Sequence, residues 1–127
     1  MSEPSVDHAP RGFIAVSLSD DLFLGPVIRS ACDSAGGELR SMATRAFPET
    51  QFDFDVLIAD LQSVSAHLND VLERAHQANA LTIGYAPHVR GDLFQAARGA
   101  GFDHVLPKSK LQSELPKLLR LVEPPSK

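Results

Sequence analysis

The chain has 127 residues, 43% of them hydrophobic and 22% charged, with a net charge of -4 at neutral pH. This length fits one domain that buries roughly two-thirds of its unfolded surface. The acidic balance gives no support to nucleic acid or an anionic membrane as a partner, and a single cysteine, Cys32, excludes an internal disulfide and a multi-cysteine metal site.

The first eleven residues are rich in Ser, Pro and charge and predict a disordered tail without the apolar core of a signal peptide. The first apolar run is FIAVSL, Phe13 to Leu18. After it comes SDDLFLGP, which reads in two ways. Gly25-Pro26 fits a helix N-cap and first helical residue, leaving Ser19 to Leu24 as an enlarged loop. Alternatively Asp20 or Asp21 caps the helix and Pro26 kinks its first turns. Val27, Ile28, Ala31, Cys32 and Ala35 then form one apolar stripe, so Cys32 reads as a small core residue rather than a reactive thiol. Gly36-Gly37 reads as a helix end and turn, not as a phosphate cradle.

A weak strand, Glu38 to Ala43, comes next. Thr44 to Asp53 contains Pro48 and few good helix formers, so it predicts a short turn of helix at most. Val56 to Ala59 is wholly apolar and stops on Asp60, whose charge needs a partner if it is buried. A helix is predicted over His67 to Ala78, with Leu68, Val71, Leu72 and Ala75 on one side. Leu81 to Ala86 predicts a strand, Asp92 to Ala100 a helix, and His104 to Pro107 a fifth strand. The last helix is predicted from about Glu114 to Val122, capped by Ser113, with Pro116 in its first turn and Leu115, Leu118, Leu119 and Val122 as its buried stripe. The closing EPPSK, residues 123–127, reads as a second disordered tail. No run approaches the ~18 apolar residues of a membrane span, and a cytoplasmic protein is expected.

Near-continuous apolar strands alternating with helices imply a parallel sheet covered on both faces. The economical arrangement is a doubly wound, flavodoxin-like sheet of order 2-1-3-4-5 forming a three-layer α/β sandwich over residues 12–122. Ligands of such sheets sit beyond the carboxyl ends of the strands, where Asp60 falls.

An acid ending the third strand, an AARGAG helix end at Ala96 to Gly101, and a fifth strand running into lysine together resemble the receiver domain of bacterial response regulators, a CheY-like superfamily. The resemblance spans roughly Phe13 to Val122. It implies a two-component signalling domain in which Asp60 stands at the phosphoacceptor position served by a histidine kinase and Lys108 at the phosphoryl-binding lysine. The rest of the pattern departs. The family's Mg²⁺-holding acids should follow FIAV directly, where Ser17 and Leu18 stand; Asp20 and Asp21 come three residues later. The strand-four hydroxyl position falls on Ala86 or Tyr85. The strand-five aromatic switch is Val105, and LQSVSA replaces the family's turn after the phosphoacceptor.

Phosphoryl transfer is mostly positioning and charge neutralisation by a metal, and Mg²⁺ needs an octahedral set of oxygen ligands. Without the acidic pair the reading is a degenerate receiver: not an enzyme, without a cofactor, and recognising protein partners, a homodimer among them, but neither nucleic acid nor membrane. The alternative is a working single-domain regulator, phosphorylated on Asp60 by a histidine kinase, with Mg²⁺ held by Asp60 and Asp20 or Asp21. Asp60 and Lys108 accordingly read either as a working site or as a surviving salt bridge. An enzyme using the same crevice rests on fold analogy alone. His8, His67, His76, His88 and His104 show no ligand spacing and read as solvated. With no output module after Val122, the signal is expected to leave through contacts. By the resemblance these lie on the fourth helix, fifth strand and fifth helix, where Leu115, Leu118, Leu121 and Val122 are the interface candidates.

Overall fold

The computed structural model describes residues 12–19 and 24–122. Five parallel strands, β1 (Phe13–Leu18), β2 (Gly37–Met42), β3 (Val56–Asp60), β4 (Leu81–Ala86) and β5 (His104–Pro107), form one sheet in the order β2-β1-β3-β4-β5. The helices are α1 (Gly25–Ser34), α2 (Leu61–Val64), α3 (Leu68–Gln77), α4 (Gly91–Ala100) and α5 (Lys108–Leu119), with 3₁₀ turns at Thr44–Glu49 and Ser65–His67. Both tails of the predicted domain division, 1–11 and 123–127, lie outside the described residues, as do Asp20 and Asp21.

Alternation along the strands divides the core in two. Val16, Leu18, Leu57 and Ala59 join Phe47, Val71, Leu72, Leu93 and Ala97 on the face covered by the first 3₁₀ turn, α3 and α4. Ala15, Val56, Ile58, Ile83 and Tyr85 join Ile28, Cys32, Leu111, Leu115 and Leu119 under α1 and α5. All five residues of β3 are buried, as a central strand covered on both faces requires. Among the described residues no helix is long and apolar enough to cross a membrane.

The start of α1 matches one of its two readings to within a residue, and two further features differ from expectation. α1 begins at Gly25 with Leu24 as its cap residue and no side-chain cap bond, so Pro26 sits harmlessly in the first turn and neither Asp20 nor Asp21 is the N-cap. A helical turn, α2, follows Asp60 directly. α5 begins at Lys108, not near Glu114, and Pro107 rather than Ser113 precedes its first turn. Pro116 therefore lies in the third turn, where it removes one backbone bond at a cost of about 3 kcal/mol. Leu111, Leu115 and Leu119, buried at i, i+4 and i+8 on both sides of it, offset that cost. Ser113 instead donates its hydroxyl back to the Lys110 carbonyl at 3.2 Å.

Two carboxylates complete the ladder where regular pairing begins. Asp55 accepts the Ile14 N–H at 2.8 Å. Asp103 accepts the N–H and the hydroxyl of Thr82 through Oδ2 at 2.9 and 3.1 Å, and its own N–H donates to Thr82 Oγ1 at 2.9 Å. Thr82 is fully buried. Asp103→Ala strands both of its donors, and a loss of about 2 kcal/mol is expected. Asp103→Asn keeps an acceptor and should lose less than half of that. Urea midpoints for the two variants decide it; equal midpoints would show that water replaces the carboxylate.

Candidate functional site

The strands deliver their last residues to one edge. Asp60 ends β3 opposite Tyr85 of β4, and Ala86 lies opposite Pro107 of β5, immediately before Lys108. Leu18, the last residue of β1, lies opposite Ala59. Asp60 and Lys108 thus emerge from strands separated by β4 alone, the placement their sequence positions implied. Lys108 is half-buried at the first position of α5.

The Asp60 carboxylate is only 2% exposed. Its Oδ1 accepts the Gln62 N–H at 3.0 Å, making Asp60 the N-cap of α2. Its Oδ2 accepts the Ser19 hydroxyl at 3.2 Å. Leu61, the first residue of α2, turns into the core at 1% exposure and rests over Gly84. That close approach is open because residue 84 has no side chain: a Cβ there would lie 2.7 Å from Leu61 Cδ2. The sequence offered no sign of Ser19 as a partner; it sits beyond the strand, one residue past the positions compared with the acidic pair.

The residues compared with that pair carry no carboxylate. Leu18 is fully buried in the core on the α3 side, and Ser17, 6% exposed, is buried at the end of β1. Among the described residues no group of three or more His, Cys, Asp or Glu side chains can hold a metal ion. Mg²⁺ is usually held by one or two carboxylates with waters completing its octahedron; at the positions compared with the acidic pair the described residues supply none, and Asp20 and Asp21 lie outside them. Tyr85 and Ala86 are both fully buried, Tyr85 toward α1 and α5 and Ala86 toward the other face. Val105 is half-buried and packs on the core shared with α4.

Of the interface candidates, Leu115 is fully buried in the core beneath α5 and is corrected to a packing residue; its place on the i, i+4 stripe decides this. Leu118 and Val122 are half-buried against the same core, and Leu121 is 66% exposed. Cys32 is buried, and burial, with the neighbouring Asp33 charge adding to it, pushes its thiol up to about 11, so it is an inert core thiol. Arg90 and Asp92, at the start of α4, form an exposed two-point ion pair at 3.0 Å; the Arg90 hydrogen bond holds the Asp92 carboxyl below its usual range.

No family model matches the sequence, and none of the curated proteins does. Solved structures do. Full-length FixJ from B. japonicum superposes with a TM-score of 0.71 at 17% identity, over 86% of this chain and 56% of that one. A response regulator from Thermotoga maritima gives 0.69 at 12% identity, over 85% and 94%. The receiver domain of a sensor histidine kinase from Pseudomonas aeruginosa PAO1, which has a magnesium ion coordinated in its active-site cleft, gives 0.65 at 17% identity, over 87% and 96%. The chain thus spans little more than half of full-length FixJ and nearly all of the other two chains. Strand order, helix placement and these superpositions agree that this chain has the CheY-like, flavodoxin-type fold of response-regulator receiver domains.

Proposed function

We propose that this chain is a degenerate receiver: a signalling domain of the two-component type that works by protein–protein recognition, without Mg²⁺-dependent phosphorylation and without enzymatic activity of its own. The observation that carries the reading is the engagement of Asp60. A phosphoacceptor carboxylate has to present one oxygen to the incoming phosphorus in line with its leaving group, with cations neutralising the others. Here one oxygen caps α2, the other accepts the Ser19 hydroxyl, and the group is 2% exposed. Each bond ties the side chain into the fold as a structural element, with Lys108 at the same edge. Val105 in place of an aromatic switch favours a constitutive contact over a gated one. The exposed Leu121 beside the half-buried Leu118 and Val122 offers the apolar part of such a surface, for a protein partner or a second copy in the cytoplasm.

The test is intact-mass spectrometry after incubation with Mg²⁺ and acetyl phosphate, for the wild-type chain and for Asp60→Asn. Neither is expected to gain a phosphoryl group. An adduct present in the wild type and lost in Asp60→Asn overturns the proposal. It would favour the alternative, a working regulator phosphorylated on Asp60 by a histidine kinase, and would make Asp20 and Asp21 the metal ligands to test next.

A further inference from the structure

Charge is not spread evenly over the helices. In a chain of net charge -4, α5 and its C-cap carry Lys108, Lys110, Lys117 and Arg120 against one acid, Glu114. Lys110 and Arg120 are exposed and make no ion pair among the described residues, and Lys117 meets Glu114 only loosely, at 3.7 Å. Past the end of α5 the turn continues, with the Arg120 N–H donating to the Pro116 carbonyl at 3.2 Å and the Leu121 N–H to the Leu118 carbonyl at 3.0 Å. Leu121 thus follows Lys110, Glu114 and Lys117 along one side of the helix, at helical spacings of three and four. It sets an apolar side chain, 66% exposed, at the end of a mostly cationic stripe.

The complementary chemistry lies between α3 and α4. Two adjoining concavities of about 480 and 470 Å³, which share Asn69 and Ala100, form an open trough there. Leu72 and Ala100 give the first an apolar lining beside Glu73, and Asp70 lines the second. Among the described residues neither is lined by a lysine or arginine, and Asp70 and Glu73 are exposed and form no ion pair. One chain therefore carries an apolar knob with cationic neighbours and an apolar hollow with anionic ones. A two-fold pair that set α5 against its own copy would instead oppose two net-cationic stripes, which like charge disfavours. We propose that the recognition surface around Leu121 binds a second copy of this chain head to tail, with Leu121 entering the trough beside Leu72 and Ala100 and Lys117 facing Glu73. The inference rests on Leu121 as the contact surface of the reading above, and not on the state of Asp60.

Sedimentation equilibrium of the full chain, from about 10 μM to about 1 mM at low salt, tests this over the range of weak pairs. The mean mass should rise past that of a dimer, because a head-to-tail contact leaves a free knob and a free trough on every pair. It should fall back in about 0.5 M salt, which screens the exposed charges. Leu121→Ser, Lys117→Glu and Glu73→Lys should each weaken association by about tenfold or more. An equimolar mixture of Lys117→Glu and Glu73→Lys should associate again, since each reversed charge then meets its opposite. Should a reversal unfold the chain, Lys117→Gln and Glu73→Gln take its place, each with an expected loss of about threefold. A chain that stays monomeric, a mass that levels off at the dimer, association untouched by salt or by the variants, or a mixture no heavier than its components would each overturn the proposal. A phosphoryl adduct on Asp60 would overturn the degenerate reading and leave these masses as they are, so the two failures are distinct.

Discussion

Phe47→Ala is expected to destabilise the domain by about 3–5 kcal/mol, the range for deleting a fully buried aromatic side chain. The 3₁₀ turn at Thr44–Glu49 has little propensity to hold itself in place, with Pro48 within it and no side-chain cap. Phe47 anchors it. The ring has no exposed surface and meets Phe54 at 5.4 Å between centroids, while Phe54 meets Phe52 edge-on at 6.2 Å. Arg74 of α3 ties the following loop to this cluster, donating to Thr50 Oγ1 at 3.0 Å and to the Phe52 carbonyl at 2.7 Å with its guanidinium 5.1 Å from the Phe54 ring. A cavity there cannot collapse without releasing those contacts. Against a total stability on the order of 5–15 kcal/mol, the variant should be largely unfolded in modest urea, whereas Phe47→Leu should lose less than about 1.5 kcal/mol. A loss under 1 kcal/mol for the alanine variant would show that the turn settles into the space freed.

The second large effect is predicted at Gly84 and Leu61, tested together. Leu61→Ala should cost about 2–5 kcal/mol, since its side chain is 1% exposed. Gly84→Ala gains strand propensity but sets a methyl 2.7 Å from Leu61 Cδ2 and 3.1 Å from Cγ. Overpacking of that kind costs about 1–3 kcal/mol and displaces the residue next to Asp60. If this contact is the cause, the double variant should be more stable than the sum of the two losses predicts, by about 1 kcal/mol or more. Strictly additive losses in a denaturation cycle would place the effect of Gly84 elsewhere.

The strands were legible because their signal is composition within short windows. β1, β4 and β5 begin and end at the residues expected, β2 starts and ends one residue early, and β3 extends by one to include Asp60. The order of the sheet followed from alternation with helices. The weakness of Thr44 to Asp53 was also readable from Pro48, and a 3₁₀ turn is what forms there. The start of α5 was hidden by a local rule that tertiary packing overrides. Pro116 argued for a first turn and Ser113 for a cap, yet Leu111 is drawn into the core and carries the helix back to Lys108. At the site, the position of Asp60 at the end of an apolar strand was visible in the chain, whereas its burial entered only as a condition. Its bond to Ser19 was not visible there, because a contact between residues 41 apart depends on how two strand ends meet.

The ends of the sheet constrain how this domain can assemble. β5 is a flanking strand of four residues that finishes on Pro107, which has no amide hydrogen to offer. The opposite flank, β2, carries Glu38 and Arg40, linked to each other at 2.8 Å. Short length, proline and charge are the features that stop a foreign strand from extending a sheet. Growth by strand addition, and the fibrous aggregation it seeds, is therefore disfavoured at both flanks. Lasting association with another protein then falls to side chains on helices and loops rather than to the backbone of the sheet.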